Sequence, residues 1–89
     1  MNTIYKYKLE VTDRQRITLP LNYEILDIQV QHKDVCMWVL VPLKQDTKEM
    51  AIIEIFGTGH TINTHDRKYI STFQMNGGDL VFHAFEAYK

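Results

Sequence analysis

The chain has 89 residues, of which 45% are hydrophobic and 24% are charged, and this composition is typical of one globular domain spanning residues 1–89. Ten basic and eleven acidic side chains give a net charge of −1, which excludes the strongly basic field of nonspecific nucleic-acid binders. The sequence has no run of about 18 apolar residues and therefore predicts no membrane span. Its single cysteine, Cys36, lies in an apolar run, which fits a reducing compartment, and we expect a cytoplasmic protein.

The first two strands are predicted from an alternating pattern. From residue 4 to residue 11, apolar side chains alternate with charged ones, which is the period of a half-buried strand. Residues 12–15 supply turn-forming side chains, and the alternation resumes at residues 16–19. We therefore expect a hairpin. Pro20 should end it in a bend, because proline has no amide hydrogen for the ladder.

The next two strands are expected to form the middle of the fold. Residues 26–31 alternate again, with Leu26, Ile28 and Val30 on one face. A tight connection at residues 32–34 leads into the continuous apolar run 35–41, which predicts a strand that is buried on both faces or lies at the centre of the sheet. The polar stretch from Pro42 to Glu49 carries no apolar period and is interpreted as a loop.

Three further strands are expected at residues 51–56, 69–74 and 80–85. The polar stretch from Thr61 to Lys68 separates the first of these from the second and is interpreted as a loop. Asn76 and Gly77 lie between the last two, and Asn-Gly is favoured where both turn positions need a positive φ. The sequence therefore predicts a final hairpin.

These elements predict an all-β domain of six to seven short, mostly antiparallel strands. No segment of ten or more residues keeps an apolar stripe at helical spacing. Closing the sheet into a compact barrel or folding it into a sandwich would both hide strand edges and core, and the sequence leaves the two open. A chain this short leaves apolar surface that a second copy could cover, so a homo-oligomer is expected.

The most distinctive local motif is Gly57-Thr58-Gly59-His60, at the end of a strand. Two glycines allow a sharp turn and a close approach of a ligand to exposed amides. The motif lacks the third glycine and the helix of a dinucleotide fingerprint, and it lacks the Lys-Ser/Thr ending of a phosphate-binding loop. A structural turn or bulge is therefore favoured, with a ligand-contacting loop as the alternative.

The chain has four histidines, at positions 32, 60, 65 and 83. Their spacing matches no zinc pattern, so we expect no metal and no cofactor. His32 is interpreted as a turn residue and His83 as a strand residue bonded to a neighbouring carbonyl. Cys36 lies in the most hydrophobic run, where its thiolate is disfavoured, and no carboxylate pair stands out, so we predict that the protein is not an enzyme. A small hydrolase or metalloprotein built on His60, His65, Asp66 and His83 is the least favoured alternative.

Six ring-bearing residues could form a stacking surface for bases: Tyr5, Tyr7, Tyr23, Trp38, Tyr69 and Tyr88. The alternation of the first strand places Tyr5 and Tyr7 on the face opposite to its lysines. One strand therefore cannot present both rings and charges to one ligand. Core packing is the favoured interpretation for most of these rings.

Six short stretches carry a resemblance that runs over nearly the whole chain: IYKY at 4–7, TDRQ at 12–15, ITLP at 17–20, ILDIQVQ at 25–31, IFGTGH at 55–60 and YISTFQ at 69–74. In this order they resemble a family of short phage, prophage and bacterial proteins that is classified as a domain of unknown function. The resemblance implies no activity and no catalytic residues.

What the resemblance implies is a setting, because small accessory proteins of phages often occupy a host protein or hold a host signalling molecule. We therefore expect a non-enzymatic, phage-encoded binding protein in the host cytoplasm that blocks or sequesters a defence protein or a nucleotide-like signal. The expected site is the loop Gly57, Thr58, Gly59 and His60 with Arg67, next to Trp38 or Tyr69 as a stacking partner. The alternative is a structural module that self-associates through an exposed strand edge.

Overall fold

Seven strands in two antiparallel sheets build the fold. The structure is a computed structural model and describes residues 1–88. The strands are β1 (Asn2–Leu9), β2 (Arg14–Pro20), β3 (Glu24–Gln31), β4 (Asp34–Pro42), β5 (Lys48–Gly57), β6 (Arg67–Met75) and β7 (Leu80–Ala87), with a 3-10 turn at Asn76–Gly78. Sheet A has the order β1-β4-β3, and sheet B has the order β2-β5-β7-β6. The all-β class and the strand number are confirmed, and two open sheets make the fold a sandwich and not a closed barrel.

The hydrophobic core lies between the two sheets. Residues at every second position of β4 and β5 face it, among them Val35, Met37, Val39, Val41, Ala51, Ile53 and Ile55. The apolar run of β4 is continuous because this strand is central in sheet A and its second face is also partly covered. Cys36 on that face is only 4% exposed. The prediction that this strand lies at the centre of its sheet is therefore confirmed, whereas on its second face only Cys36 is buried, and Trp38 and Leu40 are half-buried.

Sheets A and B meet along β3 and β6. The Ser71 hydroxyl donates to the Ile28 carbonyl at 2.6 Å, and the Gln29 side-chain amide donates to the Thr72 carbonyl at 3.4 Å. Both Ser71 and Ile28 are buried. The two edges on the opposite side of the sandwich, β1 and β2, pair with no further strand of the described chain.

The expected first hairpin is wrong, because β1 pairs with β4 and β2 pairs with β5. The strand ends at Leu9, and Val11 is 55% exposed in the connection. The side-chain Nε2 of Gln15 donates to the Glu10 carbonyl at 2.8 Å, and the side-chain Oε1 of Gln15 accepts from the Glu10 N–H at 3.1 Å. One side chain thus satisfies the backbone groups that a hairpin partner would have bonded, and the chain crosses to the other sheet.

The placement of β3 in the middle of the fold is also wrong. This strand is an edge of sheet A, and its register with β4 shifts between Ile25 and Asp27. The bulge turns Leu26 outward, where it is 42% exposed, while Ile25 packs against the core and Ile28 is fully buried. The extra residue changes the period of two that the sequence pattern assumed.

Both predicted tight connections are present. His32 and Lys33 have φ of 51° and 73° between β3 and β4, and Asn76, Gly77 and Gly78 have φ of 55°, 68° and 96° between β6 and β7. Positive φ at two successive turn positions suits the right-handed twist of hairpin strands. His32 is therefore a turn residue, as predicted. Within the described residues, no helix is long and apolar enough to cross a membrane.

Candidate functional site

Residues 58–66, called loop 58–66 here, join β5 to β6 across the outer face of sheet B. The two strands are not neighbours, because β7 lies between them. Arg67 pairs with Ala87, which in turn pairs with Ile52 near the middle of β5. The loop therefore runs back along the sheet from the end of β5, and its last residue, Asp66, accepts a hydrogen bond from the Tyr88 N–H at 2.9 Å.

The glycine motif forms a β-turn at the start of this loop. The His60 N–H donates to the Gly57 carbonyl at 3.2 Å, and Gly59 has a φ of 95°, as the third position of a type II turn requires. The Gly57 N–H donates to His60 Nδ1 at 3.3 Å, and a Cβ on Gly57 would lie only 3.3 Å from the imidazole Cε1. The first glycine therefore admits the ring, and the second one makes the turn that the sequence predicts.

Two shallow depressions flank His60, and the pair is called the His60 groove here. One has a volume of about 280 Å³ and is lined by Gly57, Thr58, Gly59, His60, Ile62, Tyr69, His83 and Phe85. The other has a volume of about 450 Å³ and is lined by Asp13, Arg14, Glu54, Ile55, Phe56, His60 and Thr61. The imidazole of His60 forms a wall of both.

A chain of hydroxyls and an imidazole fixes one side of the His60 groove. Thr58 Oγ1 lies 2.8 Å from His83 Nε2, and Thr72 Oγ1 lies 3.0 Å from His83 Nδ1. The Tyr69 hydroxyl lies 2.8 Å from Thr72 Oγ1. The prediction that a carbonyl satisfies His83 is therefore wrong, since both ring nitrogens meet hydroxyls. These groups can each donate or accept, so the chain can adapt its proton arrangement to a ligand.

A buried carboxylate organises the other side of the His60 groove. Glu54 is 6% exposed and receives hydrogen bonds from Arg67 Nε at 2.6 Å and Arg67 Nη2 at 3.4 Å. Its Oε2 also lies 3.6 Å from Arg14 Nη1. The hydrogen bond with Glu54 raises the pKa of the Arg67 guanidinium, so that this group stays charged.

The same arginine holds loop 58–66 in place. Its Nη1 donates to the Asn63 carbonyl at 2.6 Å, and its guanidinium carbon lies 5.7 Å from the centroid of the Phe56 ring. Phe56 packs edge-to-face on Phe85 at 5.7 Å, and Phe85 packs edge-to-face with Tyr69 at 5.6 Å. A row of rings therefore runs along the floor of the groove and ends at the exposed Tyr69.

The structure brings together most of the residues that the sequence singled out. The four residues of the glycine motif and Tyr69 line one depression, and Arg67 anchors the loop above them. Trp38 is not a neighbour of this loop, because it lies on β4 in sheet A, at a position that alternates with the core residues Met37 and Val39. Its expected role as a stacking partner there is wrong. Trp38 is distant in sequence from the glycine motif, and the residues around it do not indicate which sheet its strand joins.

The predicted binding site did not include Arg14, Glu54, His83 or Phe85, and of these only His83 appeared in the least favoured alternative. Arg14 pairs with Glu54, and Glu54 pairs with Phe85 across three strands. The alternation along each strand predicts which residues of that strand share a face. Only the strand order β2-β5-β7-β6 brings the faces of different strands side by side on one surface. No local motif could have found this set.

A larger depression of about 810 Å³ lies elsewhere, at the tips of two hairpins. It is lined by Val30, Lys33, Leu80 and residues 74–78. Lys33 is its only ionisable lining residue, and it contains no aromatic ring or histidine. It therefore offers less recognition chemistry than the His60 groove. Among residues 1–88, no three histidine, cysteine, aspartate or glutamate side chains lie close enough to hold a metal ion.

A comparison with protein-family models matches residues 1–89 to a family described as a domain of unknown function (DUF7352). The chain belongs to the DUF7352 family. This confirms the part of the resemblance that concerns an uncharacterised family covering the whole chain. No curated protein and no solved structure gives a significant match. The family assignment carries no site residues, so the case for the His60 groove rests on its geometry.

Proposed function

We propose that this protein is a non-enzymatic binding protein that sequesters a nucleotide-like signalling molecule in the His60 groove. The observation that carries the proposal is the meeting of three recognition elements on one face of sheet B. These are an exposed aromatic ring, a hydrogen-bonding turn with two histidines beside it, and arginine side chains. A base, a sugar and a phosphate need these three kinds of partner.

Tyr69 supplies the stacking element. Its side chain is on a rigid strand and is 54% exposed. Packing of the ring against Phe85 and the hydroxyl contact with Thr72 fix its orientation before any ligand arrives. A pre-oriented ring loses little conformational entropy on binding, and stacking of a base on such a ring contributes about 1–3 kcal/mol.

The turn supplies hydrogen-bonding groups. Because His60 Nδ1 accepts from the Gly57 N–H, the neutral ring carries its hydrogen on Nε2. His60 is exposed, so this N–H can donate to a ligand. The Thr58 hydroxyl and His83 line the same depression, so donors and acceptors border one site.

Arg14 supplies the charge for an anionic group. Its side chain is 50% exposed, and its contact with Glu54 is a loose one at 3.6 Å. A guanidinium has five N–H donors, more than this contact uses, and can hold a phosphate oxygen pair. Arg16 lies two residues further on the same face of β2, opposite Ile52. Arg14 thus lines the groove together with the carboxylates of Asp13 and Glu54, and Arg16 lies on the same face of β2.

The setting supports sequestration over catalysis. Cys36 is buried in sheet A, away from the groove. The resemblance to short phage and prophage proteins supports a role in a host cytoplasm, where a protein that only holds a signal lowers its free concentration. A nucleotide fits this groove better than a host protein does, because the groove is small, whereas stable protein interfaces bury about 800 Å² on each partner.

The test begins with native mass spectrometry of the protein from host cytoplasm, which would detect a retained nucleotide-sized mass. Calorimetric titration with AMP, cyclic AMP and cyclic di-AMP then measures affinity. Tyr69→Ala should weaken binding of the best of these probes by about tenfold or more, and His60→Ala and Arg14→Ala should each weaken it as well. Lys48→Ala, exposed at the opposite end of β5, is the charge control, and Trp38→Phe in sheet A is the aromatic control.

Unchanged affinity in all three groove variants, with an intact fold by circular dichroism, would show that this surface is not the binding site. If no probe binds and a host protein co-purifies at the same face, the small-ligand assignment is wrong. Loss of binding in both control variants as well would point to a general loss of structure.

A further inference from the structure

Strand β1 forms an open and regular sheet edge. It pairs only with β4 in the described chain, through an unbroken register from Asn2 opposite Pro42 to Leu9 opposite Val35. Its other side therefore presents a row of backbone N–H and C=O groups without a strand partner. Such an edge is a template for pairing with another strand.

The other three edges are less suited to pairing. The edges β3 and β6 face each other, and each contains a register shift, between Ile25 and Asp27 and between Tyr69 and Ser71. The edge β2 ends in Pro20, which has no amide hydrogen. Bulges and proline are the usual protections of natural sheet edges. The edge β1 contains neither.

The two lysines of β1 do not protect it. Lys6 Nζ donates to Gln31 Oε1 at 2.8 Å, on the far side of β4. Lys8 Nζ lies 3.5 Å from an Asp34 carboxylate oxygen on β4 itself. Both side chains are thus directed over sheet A and away from its edge, and the Lys8 charge has a carboxylate partner within the molecule.

Apolar side chains are exposed along the same strand. Ile4 is 55% exposed and Tyr5 is 51% exposed. Tyr5 lies opposite the fully buried Val39 and so belongs to the inward face of sheet A. It is nevertheless half open to solvent, because the edge of sheet A extends beyond the cover that sheet B provides. A second copy of this edge would cover both side chains.

We propose that β1 pairs with β1 of a second copy in antiparallel orientation, with Tyr5 on the two-fold axis. In this register Tyr5 lies opposite Tyr5, Ile4 opposite Lys6, Thr3 opposite Tyr7, and Asn2 opposite Lys8. No two lysines face each other, and two tyrosine rings meet at the centre, where aromatic cross-strand pairs are favourable. Centring the pair on Lys6 instead would place like charges directly opposite each other, which is unfavourable. Charge thus excludes the registers centred on Lys6 and on Tyr7, where lysines would face each other, and the pairing of two rings favours Tyr5 over Ile4 on the axis.

The resulting dimer has a continuous six-stranded sheet made of two copies of sheet A. The His60 groove lies on the outer face of sheet B, so both grooves of the dimer stay open. Dimerisation is therefore independent of the proposed ligand binding, and either proposal can fail without the other.

Sedimentation velocity and light scattering over a concentration series test the dimer directly. A reversible dimer is expected, and a protein that stays monomeric up to about 1 mM would overturn the proposal. Tyr5→Lys places two positive charges on the axis and should raise the dissociation constant by about tenfold or more. Tyr88→Lys is the matched control, because Tyr88 is 59% exposed and lies outside β1.

Cysteine crosslinking tests the register. Directly opposite residues of an antiparallel pair lie about 4.5–5.5 Å apart at Cα, within reach of a disulfide. Tyr5→Cys should therefore form a covalent dimer in an oxidising glutathione buffer, whereas Thr3→Cys should not, since the two Thr3 positions are four residues out of register. Native Cys36 is buried and should not compete. Equal crosslinking of both variants, or crosslinking of Thr3→Cys alone, would exclude the Tyr5-centred pair.

Discussion

Replacing Gly59 by alanine should destabilise the protein through the backbone alone. Gly59 has a φ of 95°, and a Cβ built there has no atom within 4 Å. No steric clash contributes, so the whole cost comes from forcing an L-residue into the left-handed region. That cost is about 1–2 kcal/mol, and alanine also reduces the entropy of the unfolded chain by up to about 1 kcal/mol. We expect a net loss of about 1 kcal/mol.

Thermal unfolding followed by circular dichroism measures this loss. For a domain of this size, about 1 kcal/mol lowers Tm by roughly 4–8 °C. Gly57→Ala is the matched comparison, because Gly57 does not have a positive φ and its added Cβ would meet the His60 ring at 3.3 Å. That variant should change Tm little but should shift the NMR signals of the His60 imidazole. A Gly59→Ala protein as stable as wild type would refute the type II turn and the reasoning built on it.

Two further predictions concern hydrogen bonds between residues that are distant in sequence. Ser71→Ala removes a buried hydroxyl that donates to the Ile28 carbonyl at 2.6 Å, so urea denaturation should show a loss of about 1–2 kcal/mol; no loss would mean that this bond does not hold the sheets together. Burial, together with the hydrogen bond to Glu86, raises the pKa of the Tyr23 hydroxyl. Stability from this neutral hydroxyl is present below about pH 10 and is lost as the pH rises above it, because the unfolded tyrosine ionises first. Tyr23→Phe should therefore flatten the alkaline fall in Tm, whereas Tyr88→Phe should leave it unchanged.

The local pattern of the chain determined which segments are strands. The alternation of β1, the continuous apolar run of β4 and the Asn76-Gly77 turn each follow from properties of neighbouring residues: side-chain period, burial and allowed φ. The glycine motif was likewise recognisable as a turn, because only a few residues can occupy a positive φ. These predictions need no knowledge of distant contacts, and they are confirmed.

The pairing of those strands was decided only by the tertiary structure. Nothing local distinguishes a hairpin between β1 and β2 from the crossing that occurs, where Gln15 bonds the backbone of Glu10 in place of a partner strand. The composition of the His60 groove depends on the same long-range choice, since Arg14 and Glu54 come together only because β2 pairs with β5. The placement of Trp38 on the other sheet has the same origin. Several strand pairings have similar local chemistry and differ only in their non-local contacts. The pairing that forms is the one that buries the apolar faces of all strands in one common core.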